Sequence, residues 1–77
     1  MTGLKELVSK ALRLPAGSVS DTLAMAETRS WDSLAHMELV LAIEERYQVN
    51  LSGDEIVNMT SIPGIASVLR ARGVELR

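Results

Sequence analysis

Near the start of the chain, apolar residues fall at Leu4, Leu7, Val8, Ala11 and Leu12. That i, i+3, i+4, i+7, i+8 spacing belongs to a helix with one buried face. Thr2 can cap its start and Pro15 stands just past its end, so the pattern predicts a helix over residues 3–13. From Leu14 to Trp31 the period fades. PAGSVSDT is turn chemistry, and no regular spacing recovers after it. A connection this long is unusual in a small helical domain and is often functional. Val19, Leu23 and Met25 are expected to pin it to the core.

The strongest helical signal runs from Ser33 to about Tyr47, uninterrupted by Gly or Pro and capped by Asp32 or Ser33. Projected at 100° per residue, His36, Leu39, Val40, Ile43 and Tyr47 gather on one side, which reads as the core face. Leu34, Glu38, Leu41 and Glu45 gather on the opposite side, where solvent is expected. Single exposed leucines need no explanation. Two of them among carboxylates hint at a docking surface, set against the plainer reading of a solvated acidic face.

Two shorter signals close the chain. SGDE at 52–55 fits a capping box, with Ser52 as cap and Glu55 three residues later, opening a brief helix through Ile56 and Val57. Thr60 is expected to cap the last helix, with Pro63 tolerated in its first turn. Ile62, Ile65 and Leu69 keep helical spacing, and Gly73 is placed to stop it. No segment reads as a strand. The fold expected is an all-α four-helix bundle, three longer helices and one short, with a long loop between the first two.

Composition narrows the chemistry. A chain of 77 residues implies one domain, spanning 1–77, with a thin core. There is no cysteine, so neither a disulfide nor a Cys-based metal site is possible, and one histidine makes zinc ligation implausible. Phe is absent, with one Trp and one Tyr, which points to an aliphatic core. A formal net charge of −2 argues against nucleic acid, which needs a basic stripe. No apolar run approaches a membrane span, and the N-terminus lacks the apolar stretch of a signal peptide. A cytoplasmic monomer is expected. Its starting Met and full run of elements suggest a discrete protein.

Catalysis finds little support. Asp32, Ser33 and His36 are close in sequence, but His36 leans toward the core and no oxyanion hole is apparent. Phosphate-binding loops and EF-hand ligand series are absent. His36 reads more simply as a partly buried helix residue.

Taken together, WDSLAHMELVLAIEERY after a long loop, then TSIPGIASVL, resembles the acyl carrier proteins, also called phosphopantetheine-binding or thiolation domains. The similarity spans nearly the whole chain. It implies an acyl-carrier-protein-like fold, no enzymatic activity, and 4′-phosphopantetheine on Ser33, joined as a phosphodiester by a phosphopantetheinyl transferase drawing on coenzyme A. A helix N-terminus, with its free N–H groups, suits that phosphate, and Ser33 as a simple cap is compatible with it. Asp32 would present the serine, assist the transferase's metal, or only cap the helix. Trp31 would shield the arm's base or simply anchor the loop. The arm would carry acyl, aminoacyl or polyketide intermediates as thioesters between a loading ligase and downstream enzymes, docked on Leu34, Glu38, Leu41 and Glu45. The other reading is a carrier-like module that is never modified and only docks a partner.

The chain departs from the bacterial fatty-acid carriers, which resemble one another in LGxDSL and in strong acidity. Here the stretch is TRSWDSL. Residues 32–47 carry Asp32, Glu38, Glu44 and Glu45 against Arg46, net −3, while the tail from Arg70 carries three arginines against Glu75, net +2. A specialised pathway is therefore expected rather than primary fatty-acid synthesis.

Overall fold

The computed structural model describes residues 2–76. Four α-helices run in order among them: α1 (Thr2–Ala11), α2 (Ser33–Tyr47), α3 (Gly53–Asn58) and α4 (Ile62–Ala71). The all-α fold with a long first loop is the one expected. None of these helices is long and apolar enough to cross a membrane. The side chain of Thr2, the expected cap of α1, lies outside the described residues.

α1 ends two residues sooner than its apolar spacing suggested. Leu14 N–H bonds back to the Ser9 carbonyl at 2.8 Å and Arg13 N–H to that of Lys10 at 3.3 Å, with Arg13 left-handed at φ 58°. This is the Schellman closure, which satisfies the last carbonyls of a helix and needs one left-handed residue. Pro15 explains its position, because the residue before a proline is pushed out of the helical region.

The long loop is more ordered than its sequence. Val19 is buried, and Leu23 and Met25 pack half-buried against the core, as expected. A single 3-10 turn forms at Met25–Glu27, and an isolated antiparallel bridge joins Ala24 to Ser61. Met25 N–H donates to the Thr60 carbonyl at 2.8 Å, and Ile62 N–H to that of Leu23 at 2.9 Å. Lys5 on α1 ion-pairs with Asp21 and ties the loop down from the other side.

That bridge also moves the expected cap. Ser61, paired with Ala24, is extended (φ −154°, ψ 162°), so Ser61, not Thr60, accepts the Gly64 N–H at 3.0 Å and opens α4. Gly64 has its own constraint: a Cβ there would sit 2.5 Å from the carbonyl oxygen of Asn58. Only glycine lets α4 begin this close to the end of α3. Gly73, at φ 82°, closes α4 where expected. The capping box of α3 is present in full, Ser52 and Glu55 each accepting from the other's backbone N–H.

On α2, His36, Leu39, Val40 and Ile43 are buried and Tyr47 is half-buried, so the core face is the one expected. The core is not purely aliphatic. Trp31, at 2% exposed, lies within it beside Leu4, Ile43, Ile62 and Leu69. Its indole N–H donates to His36 Nδ1 at 3.0 Å, and His36 Nε2 lies 2.9 Å from the carbonyl oxygen of Ile56. A neutral imidazole with its proton on Nε2 satisfies both bonds. One ring thus joins the loop, α2 and α3, and Trp31 is the loop's anchor.

Candidate functional site

The site is built at the junction of loop and α2. Trp31 is held in the core, the chain is extended at Asp32 (φ −93°, ψ −175°), and the helix begins at Ser33. Asp32 is the cap: its Oδ1 accepts the Ala35 N–H at 2.8 Å. Ser33 is therefore the first helical residue. It is exposed, and its hydroxyl has no hydrogen-bond partner among the described residues. With the cap made by its neighbour, the hydroxyl carries no structural duty.

Among the described residues, nothing beside Ser33 activates it. His36 is buried and both ring nitrogens are engaged, one by Trp31 and one by Ile56. A base occupied in this way cannot take the serine proton. The hydroxyl is suited to receiving a group from another enzyme rather than attacking a substrate by itself.

The other candidate residues form an exposed stripe. Leu34 is 71% and Leu41 62% exposed, and Glu38 and Glu45 are exposed alongside them. Two further exposed apolar residues carry no assignment in the sequence pattern. Met37 stands between Leu34 and Leu41 at helical spacing, 48% exposed, and the same projection places it there. Val57 on α3 is 71% exposed, and six helical residues are too few for periodicity to assign its face.

A cleft of about 280 Å³ lies between the end of α1 and the start of α2, and Ser33 is not among the residues that line it. Asp32 and Leu34, the two neighbours of Ser33 in the chain, line it together with Arg13. Arg13 carried no signal in sequence, because its placement depends on where α1 stops.

The model of the family described as "Phosphopantetheine attachment site" matches residues 2–69. An acyl carrier protein from Acidothermus cellulolyticus is 29% identical over 62 residues, covering 80% of this chain and 74% of that protein. The polyketide-8 synthase acyl carrier protein 2 of Streptomyces avermitilis is 32% identical over 69 residues, 90% of this chain and 79% of that protein. Among solved structures, the holo acyl carrier protein from Geobacter metallireducens superposes with a TM-score of 0.76. It covers 97% of this chain and 92% of its own, and at 16% identity it speaks for the fold alone. The prosthetic group of the matched family is phosphopantetheine, and its members carry cargo for partner enzymes rather than catalyse. The chain belongs to the phosphopantetheine attachment site family, that of the acyl carrier proteins.

Proposed function

We propose that Ser33 is the residue that bears the 4′-phosphopantetheine arm, and that the 77 residues act as one carrier unit. The observation that carries this reading is the division of labour at the start of α2. Asp32 closes the helix end, so Ser33 can be esterified without loss of the cap. The residues fit the group. A phosphodiester on the first helical residue sits where N–H groups point outward and the helix dipole is positive, which favours an anion. When bound, the arm supplies a thiol that holds cargo as a thioester.

Further parts of the reading follow from the same surface. A phosphopantetheinyl transferase would install the arm from coenzyme A in the cytoplasm. A ligase would load an acyl, aminoacyl or polyketide group, and downstream enzymes would take it. Leu34, Glu38, Leu41 and Glu45, with Met37 among them, would be the face these partners touch. A specialised pathway is supported by the modest net charge of −2 and the TRSWDSL stretch. The likeness to a carrier of a Streptomyces avermitilis polyketide synthase supports it further.

The test is intact mass after co-expression with a broad transferase. Wild type gains one phosphopantetheine, Ser33→Ala gains none, and the formal charge becomes more negative by about one. Unmodified wild type, under conditions that load a control carrier, would leave a docking module in place of a carrier.

A further inference from the structure

We propose that His36 is a positioning residue for partner enzymes. Its ring holds the short helix α3, and with it Val57, in register with the start of α2, so that the apolar face offered to a partner spans both helices. The inference rests on the reading of the α2 stripe as the docking face.

The apolar surface itself points to two helices. Among the described residues, the large hydrophobic side chains left exposed are Leu34, Met37 and Leu41 on α2 and Val57 on α3. Val57 is as open as Leu34. Met37 follows His36 in the chain and Val57 follows Ile56, and His36 Nε2 stands 2.9 Å from the Ile56 carbonyl oxygen. The two exposed side chains thus belong to the residues next to either end of one hydrogen bond.

That bond ties the two helices directly. α3 has six residues and buries none of them, and a helix so short does not persist without help from outside. The pairing of Glu55 with Arg72 and the close approach of Gly64 to Asn58 fasten it to α4. Towards α2, Glu44 accepts the Leu51 N–H at 2.9 Å, ahead of the helix. Between α2 and α3 themselves, the hydrogen bond among the described residues is the one from His36. It falls on a carbonyl near the end of α3, where a helix lacks partners of its own and its dipole is negative, so an imidazole N–H is well received.

The ring is fixed at its other nitrogen. The Trp31 indole N–H donates to Nδ1 at 3.0 Å. With Nδ1 accepting, the proton lies on Nε2, which donates to α3. A buried ring bonded at both nitrogens does not turn away, so α3 takes its place from the start of α2. The occupant this face fits is an enzyme surface with an apolar notch that meets both helices, rimmed by basic groups opposite Glu38 and Glu45.

The experiment measures kcat and KM of a phosphopantetheinyl transferase acting on the whole chain, with amide hydrogen exchange in parallel. Val57→Ala should raise KM about threefold with kcat unchanged. His36→Asn keeps an acceptor for Trp31 but no longer reaches Ile56. It should speed exchange over residues 56–59 and raise KM by a similar factor. Val57→Ala should then add nothing in the His36→Asn background, because a displaced Val57 has no contact left to lose. His36→Gln, whose longer amide reaches the Ile56 carbonyl, should recover most of the wild-type KM. Unchanged exchange or KM in His36→Asn, or full additivity with Val57→Ala, overturns the positioning role. Wild-type KM in Val57→Ala overturns it alone, whatever the stability of His36→Asn. Leu41→Ala separates this role from the reading beneath it. If Leu41→Ala raises KM while Val57→Ala and His36→Asn do not, α2 alone docks partners and the stripe stands. If Leu41→Ala also leaves KM unchanged, the stripe reading falls, and the positioning role with it.

Discussion

Leu41 and Ile43 stand two residues apart on α2, and the boundary between surface and core passes between them. Ile43 is wholly buried and Leu41 is 62% exposed. Truncating Ile43 removes apolar contacts and leaves a cavity that a tight core closes only in part. Ile43→Ala should therefore cost about 2–4 kcal/mol, a large share of the stability of so small a domain. Leu41→Ala should cost well under about 1 kcal/mol, because its side chain already meets water. Chemical denaturation of the two variants checks this, and equal losses would contradict the assignment of faces. At this scale much was legible. Helical periodicity separates Ile43 from Leu41, and the DSL stretch after a long loop opens a helix at Ser33. Periodicity could not divide the cap between Asp32 and Ser33, since both residue types cap helices well. Nor could it place Trp31, whose burial depends on a hydrogen bond to His36 across a helix start.

Among the elements, the joint between α3 and α4 shows how local and distant signals combine. Glu55 serves twice: it completes the capping box of α3 and receives the guanidinium of Arg72, whose Nε donates to Glu55 Oε2 at 2.7 Å. The bond from Arg72, then that from Ser52, hold the Glu55 carboxyl down from 4.5 to about 2. A carboxylate depressed on folding stabilises the folded state above its unfolded value. Its contribution is lost as pH falls from about 4.5 through about 2. Melting temperature should thus decline across that window, and Arg72→Gln should flatten the decline. Salt should weaken the contribution, since the pair is partly exposed. An unchanged acid slope in the variant would count against the link. The capping box was readable because its partners lie three residues apart. The Arg72 half was not, for it spans 17 positions, and no pattern along the chain pairs them. The cap of α4 was misplaced for the same reason: the bridge between Ala24 and Ser61 decides between Thr60 and Ser61.

The whole molecule measures 28 × 25 × 19 Å, and its shortest extent is about two helix diameters. So thin a body has one layer of core, and its business with other proteins falls to the surface. If the stripe on α2 seats partners, Glu38→Lys, Leu41→Ala and Glu45→Lys should each slow transferase modification and ligase loading by roughly 3- to 10-fold. That range is what about 0.6–1.4 kcal/mol of lost contact gives. Melting temperatures should stay close to wild type, and the two charge effects should shrink in high salt. Processing at wild-type rates at low salt would leave the stripe as plain solvated surface. Watching such encounters calls for a reporter, and the fold contains one. The chain has a single tryptophan and a single tyrosine, so red-edge excitation addresses one indole. That indole is in the dry core and bonded to the imidazole that also meets the carbonyl of Ile56. Water reaching it would move its emission to longer wavelength, so any parting of the loop from α2 and α3 becomes a colour change. A chain with no thiol for a dye to grip already holds its own fluorophore at the seam where it would open.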